Sequence, residues 1–235
     1  MKNQGLENRL QLWRTKKYPK NELDLSTLSL ELAIQYTNIA LKEYERTGYP
    51  HGSIVDNFFG IIGELCVKEC LIQEGFDNFE YIDRKIDYWK GDPRPYDFKV
   101  NGKTLEIVTV KPFHKYCIIK ETTWKKSDFS ICVQINNLEY SVQIYHKDKY
   151  RWYKINDSYP TEITDFSLIK HKSSFDKVGH ATVIGYGTLE EIQNLKNGWQ
   201  YGEPPKKPTT QYAGRYIKLD RMRDINKLWD LLKKA

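Results

Sequence analysis

Apolar residues recur at helical spacing in two stretches near the start of the chain and then alternate along several strand-like runs. Between residues 25 and 47, Leu28, Leu32, Ala33, Tyr36, Ile39, Ala40 and Tyr44 share one helical face and predict a first helix. Gly48-Tyr49-Pro50-His51-Gly52 breaks it. Ser53 suits the N-cap of a second helix that runs to about Glu74 and stops at Gly75. This helix carries Ile54, Val55, Phe58, Phe59, Ile61, Ile62, Leu65 and Val67, so it should be well buried.

Strand-like runs follow. Residues 79–82 predict a short strand, and a polar stretch over 83–94 leads into two runs, 95–100 and 103–110, on either side of Asn101-Gly102. Residues 129–135 form a compact apolar run expected at the sheet centre. A turn at Asn136-Asn137 and an alternating strand over 139–145 come next. Residues 146–177 read as polar, aromatic and irregular. Residues 181–186 predict a strand, 189–195 a short helix, 198–210 a Pro- and Gly-rich loop, and 212–219 a last strand. Asp220 is expected to cap a C-terminal helix with Ile225, Leu228, Trp229 and Leu232 on one face. The class is α/β, with a central mixed β-sheet flanked by helices. A single domain over 1–235 is expected, with its core at about 53–145 and N-terminal helical and C-terminal strand/helix elaborations.

The Asn-Gly pair is a strong hairpin signal, because a type I′ turn needs positive φ at both central residues. A two-residue loop sets Val100 against Lys103, Phe98 against Leu105 and Asp97 against Glu106. Directly opposed Cβ atoms lie about 4.5–5.5 Å apart. Two carboxylates so placed repel each other, and a divalent cation would turn that cost into a ligand pair. By alternation Tyr96, Phe98, Val100, Leu105 and Ile107 face the core. Asp97, Lys99, Thr104, Glu106, Val108 and Val110 face the other way.

A third carboxylate, Glu64, lies in Gly60-Ile61-Ile62-Gly63-Glu64 on the apolar second helix. Glycine inside a helix costs about 1 kcal/mol relative to alanine, a cost that close packing against a sheet can justify. Glu64 then needs a partner: a metal shared with Asp97 and Glu106, or a lysine at the helix edge.

Composition adds a little. The 235 residues carry a net charge of +6, with 17 Tyr and 6 Trp, a balance that favours an anionic partner. Cys66, Cys70, Cys117 and Cys132 lack zinc spacing and read as buried thiols in a reducing cytosol. His51, His114, His146, His171 and His180 form no metal or HNH pattern and read as loop or surface residues. The polar start of the sequence has no signal peptide and no run approaches a membrane span, so a soluble cytoplasmic protein is expected. Neither a phosphate-binding glycine loop nor a Gly-x-Ser-x-Gly elbow is present, against an NTPase or a serine hydrolase.

Glu on an early helix, Asp in a Pro-x-Asp segment and Glu-x-x on the next strand together resemble the PD-(D/E)XK nuclease superfamily. This superfamily includes many type II restriction endonucleases, mismatch-nicking enzymes and junction resolvases. The resemblance covers about residues 53–135, with residues 129–135 as the next core strand. It implies a restriction-endonuclease-like core. Asp97 and Glu106 would bind Mg²⁺, replaceable by Mn²⁺, with the Ile107 carbonyl as a further ligand and Glu64 holding a second metal or its water shell. The activity implied is hydrolysis of phosphodiester bonds in double-stranded DNA, of restriction type, with repair or recombination as alternative settings. Cutting both strands at a symmetric site calls for a homodimer.

Val108 departs from the pattern, which has lysine there. Three explanations stand: an inactivated variant of an enzyme with lysine at 108, migration of the ammonium to Lys99, or a fold that binds DNA without cutting it. Lys111 fits less well, being on the opposite face by parity. Lys115, Lys120, Lys125 and Lys126 form a basic connection suited to a phosphate backbone, and Lys206 and Lys207 lie in the long loop, where they could reach a groove.

Overall fold

The computed structural model describes residues 21–25, 32–37, 54–81, 96–110, 115–120, 127–136, 141–146, 149–154, 170–171, 179–194 and 214–235. Its strands are β1 (Glu22–Leu25), β2 (Phe79–Tyr81), β3 (Phe98–Val100), β4 (Lys103–Val110), β5 (Tyr116–Lys120), β6 (Phe129–Asn136), β7 (Ser141–His146), β8 (Lys149–Lys154), β9 (Lys170–His171), β10 (Gly179–Thr188) and β11 (Gly214–Lys218). The helices are α1 (Ile54–Gln73), α2 (Leu189–Asn194) and α3 (Ile225–Lys234), and residues 32–37 are also helical.

Six strands form one mixed sheet in the order β1-β10-β6-β4-β3-β2. Only β4 and β6 run parallel; the other neighbours are antiparallel. β6 is central, as its largely apolar run requires when both faces are covered. Asp128 sets the parallel register. Its Oδ2 accepts from the Thr104 N–H and the Thr104 hydroxyl, both at 2.9 Å, and its own N–H donates to Thr104 Oγ1 at 3.0 Å. Leu105 then pairs with Phe129, and Glu106 with Ser130.

Helices α1 and α3 cover one face. Phe58, Ile61, Ile62 and Leu65 of α1 meet Phe98, Leu105, Ile131 and Ala181 of the sheet and Leu228, Trp229 and Leu232 of α3. Gly75, at φ +83°, ends α1. The Phe76 N–H donates to the Leu71 carbonyl and the Gly75 N–H to that of Ile72, and buried Phe76 packs back on the helix end. The opposite face carries a second cluster: Val110, Cys132, the β5–β11 ribbon through Cys117, Ile119 and Ile217, and Ile192 of α2. Thr188 and Glu191 cap α2 reciprocally, each backbone N–H donating to the other's side chain. Strands β7, β8 and β9 form a separate sheet in the order β8-β7-β9.

A long-range seam joins β1 to α3. Trp229 Nε1 donates to Asn21 Oδ1 at 2.8 Å, and the Val183 N–H donates to the Asn21 carbonyl at 2.9 Å.

Several expectations need correction. Leu25 ends strand β1 rather than starting a helix; of the expected helix over 25–47, the described part is residues 32–37. Residues 116–120, read as a basic connection, form β5, because Tyr116, Cys117, Ile118 and Ile119 pair with β11. Strands β8 and β9 lie within the stretch read as irregular. His146, His171 and His180, read as loop or surface residues, sit in strands. Asp224, not Asp220, caps α3, its carboxylate accepting from the Asn226 N–H; Asp220 belongs to a 3₁₀ turn over Leu219–Arg221. The loop over 198–210 lies outside the described residues. All four cysteines are free and buried. The Cys117 side chain hydrogen-bonded to it, and then burial, hold the Cys132 thiol well above its ordinary range. Among the described residues no helix is long and apolar enough to cross a membrane, which says nothing of a β-barrel.

Candidate functional site

The hairpin forms as its turn chemistry demands. Asn101 and Gly102 have φ of 47° and 79°, both left-handed, and Asn101 Nδ2 ties the turn to the Leu232 carbonyl at 2.9 Å. Val100 pairs with Lys103 and Phe98 with Leu105, as expected. The ladder then departs from the expected register. The Asp97 N–H donates to the Leu105 carbonyl at 2.9 Å, so Asp97 and Phe98 both stand against Leu105 in the manner of a β-bulge. Asp97 therefore does not take Glu106 as its ladder partner. Its carboxylate turns along the edge of β4 instead, where Oδ2 accepts from the Ile107 N–H at 2.7 Å. Asp97 is 1% exposed.

Side chains alternate along β4. Leu105 and Ile107 face α1. A Cβ on Gly63 would run into the Thr109 hydroxyl and lie 3.4 Å from Ile107 Cγ2, so glycine is what lets α1 approach β4 here. Among the described residues nothing lies within 4 Å of a Cβ on Gly60, and close packing against them does not account for that glycine. Glu64, next to Gly63, is buried, and Tyr81 Oη donates to its Oε2 at 2.9 Å. The Tyr81 ring stacks on Phe98, the neighbour of Asp97, with centroids 4.7 Å apart. Asp97 thus flanks Ile107 from the strand edge, while Glu64 meets Tyr81 of β2.

Glu106 points to the opposite face of β4 from Ile107 and is half-buried beside its ladder partner Ser130. Lys99 shares that face, paired with Thr104 on one side and Glu80 on the other. Val108, also on that face, is half-buried, pairs with Cys132 and packs against the second apolar cluster. The structure therefore brings Asp97 and Ile107 together and leaves Glu64 with Tyr81. It sets Glu106, Lys99 and Val108 on the far side of the same strand. Among the described residues no three His, Cys, Asp or Glu side chains converge as a metal-binding group.

Of the expected DNA-contacting lysines, Lys115 is exposed just before β5 and Lys120 ends that strand. Lys125, Lys126, Lys206 and Lys207 lie outside the described residues, as does Lys111. Tyr81 and Lys68 were not among the expected site residues. Lys68 Nζ stands 5.4 Å from the centroid of the Tyr81 ring. Tyr81 read as one residue of a short strand, and spacing alone carries no signal that its hydroxyl reaches a helix residue 17 positions earlier. Comparison with protein-family models, curated proteins and solved structures yields no match for this chain.

Proposed function

We propose that this chain is a Mg²⁺-dependent endonuclease of the PD-(D/E)XK type that hydrolyses double-stranded DNA, in the manner of a type II restriction endonuclease, and works as a homodimer. One observation carries the reading: the buried Asp97 carboxylate is fixed on the Ile107 amide at the edge of β4. A carboxylate oriented in this way is a preset hard-oxygen ligand. The expected donors, Asp97, Glu106, Glu64 and the Ile107 carbonyl, are all oxygens and suit Mg²⁺ or Mn²⁺ in chemistry, although Glu106 stands on the far side of β4 and no three carboxylates among the described residues converge. When bound, the metal would lower the pKa of a ligated water and stabilise charge on the phosphodiester.

The chain's own residues divide the remaining work. The Ile107 N–H orients Asp97. The Ile107 carbonyl points to the same side of its strand as that N–H, as strand geometry requires. Tyr81 orients Glu64. Lys99, on the face of Glu106, supplies the ammonium that Val108 cannot, and Lys115, Lys120, Lys125, Lys126, Lys206 and Lys207 contact phosphates.

A second reading is a protein that binds DNA on the same fold without cutting it. The packing of Val108 against the second apolar cluster favours it, since valine then has a structural reason to be there. Incubation of supercoiled plasmid with Mg²⁺ or Mn²⁺, for this chain and for Val108→Lys, separates the two. Nicked or linear product from either protein supports the nuclease. Salt-dependent DNA binding with no cleavage by either protein supports the second reading. Calorimetry showing no divalent binding that depends on Asp97 and Glu106 removes the metal site.

A further inference from the structure

We infer that the β5–β11 ribbon is the element that enters a groove of double-stranded DNA, with Ile118 and Tyr216 toward the bases and the flanking cations on phosphates. This rests on the DNA-binding reading shared by both proposals above and needs no metal. By alternation Tyr116, Ile118 and Lys120 of β5 share the outer register with Gly214, Tyr216 and Lys218 of β11. The inner register anchors the ribbon: Cys117, Ile119 and Ile217 are buried in the second apolar cluster. Outside, Ile118 is 36% exposed, and among the described residues Leu231 is the only other large apolar side chain so exposed. One exposed isoleucine is ordinary. This one stands directly opposite half-buried Tyr216, and Tyr116 stands opposite Lys218. An anchored ribbon thus presents a strip of aliphatic and amphipathic aromatic residues.

Charge selects the occupant. The two strands include Lys120, Arg215 and Lys218 and no acid. Lys115 is exposed just before β5, and Arg221 is exposed in the turn that follows β11. The Leu219 N–H donates to the Lys115 carbonyl at 3.0 Å, which draws those two ends together. Asp220 of the same turn pairs with Lys218 at 2.8 Å, with side chains 59% and 39% exposed. An exposed pair of this kind contributes little, so a phosphate can displace the carboxylate. A second copy docked here about a two-fold axis would set these cations against their own equivalents, whereas a polyanion neutralises them. A two-stranded ribbon fits the major groove of B-DNA, about 12 Å wide, where apolar side chains meet thymine methyl groups.

Fluorescence anisotropy of the full chain with a fluorescein-labelled duplex of mixed sequence, in EDTA, tests the ribbon without any metal. The double variant Ile118→Ser with Tyr216→Ser should bind about 10-fold more weakly. Its slope of log affinity against log salt should match wild type, because neither residue is charged. Leu231→Ser removes exposed apolar surface from α3 instead and should bind like wild type. A double variant that binds like wild type, or an equal loss in Leu231→Ser, overturns the inference and leaves DNA binding standing. A weakened double variant that also drops from dimer to monomer in sedimentation assigns the strip to a second copy and overturns the inference too. No duplex binding by wild type at low salt overturns both the inference and the DNA reading beneath it. If the double variant does not fold, ultraviolet cross-linking of wild type to a bromouracil-substituted duplex decides. Adducts at Tyr116 or Tyr216 support the ribbon, and their absence ends it.

Discussion

Replacing Gly63 with alanine puts a methyl group where α1 meets β4. The new Cβ would meet the Thr109 hydroxyl, with Thr109 Cβ at 3.2 Å and Ile107 Cγ2 at 3.4 Å. Two effects oppose each other. Alanine in a helix interior is worth about 1 kcal/mol over glycine, whereas overpacking a close contact costs about 1–3 kcal/mol. Thr109 is β-branched and sits on a strand within the sheet, so it has few ways to yield. The net expectation is a loss of about 1–2 kcal/mol, or about 2–8 °C in Tm for a chain of this size. Gly60→Ala is the matched control. Among the described residues nothing lies within 4 Å of its added Cβ, so the helix-propensity gain should raise Tm by about 2–4 °C. Thermal melts followed by circular dichroism read both variants, and Thr109→Ala in the Gly63→Ala background should recover much of the loss. If Gly63→Ala melts at or above wild type, α1 does not sit on β4 as described.

Val108→Lys should lower stability by about 1 kcal/mol, or about 2–4 °C, because lysine gives up apolar packing against the second cluster while its ammonium reaches for water; differential scanning calorimetry checks this independently of any gain in cleavage. Asp128→Ala leaves the Thr104 N–H without its acceptor and should cost about 1–3 kcal/mol in urea unfolding; an unchanged midpoint would show that this carboxylate does not hold the β4–β6 register. Glu191→Gln tests a pH dependence. Burial pushes the Glu191 carboxyl up, but the Thr188 N–H, the Arg223 guanidinium and the Thr188 hydroxyl outweigh it and hold it below its ordinary value. A carboxyl lowered on folding contributes stability above its unfolded pKa, and that contribution is lost as pH falls through the folded value. The gap between wild type and Glu191→Gln should therefore be present at neutral pH and close in acid, below the ordinary carboxylate range.

Elements with a strong period were legible in the sequence. α1, the hairpin, β6, β10 and α3 all follow from apolar spacing and turn chemistry. β1 was not, because Glu-Leu-Asp-Leu is only four residues long and its strand character comes from pairing with β10. β5 was masked by the lysines around it, although Cys117 and Ile119 alternate inward. In the candidate site, Glu64 was legible as a buried charge that needed a reason, and Asp97 as one of a repelling pair, although its burial was not foreseen. Their partners were not. The bulge that turns Asp97 toward Ile107 is a local backbone choice that strand alternation cannot foresee, and the Tyr81–Glu64 bond joins two elements whose packing no spacing rule gives.

The seam at Asn21 bears on when the protein can finish folding. Asn21 and Trp229 are 208 positions apart, and ribosomes add about 5–20 residues per second. Asn21 is therefore made about 10–40 s before Trp229. Through most of that interval β1 lacks β10, and throughout it lacks Trp229 of α3, so the apolar face of the sheet that α3 closes stays open. Closure of this seam then waits for the synthesis of Trp229, and a chain stalled before Trp229 would expose the face of Ala181 and Ile131 to any chaperone within reach.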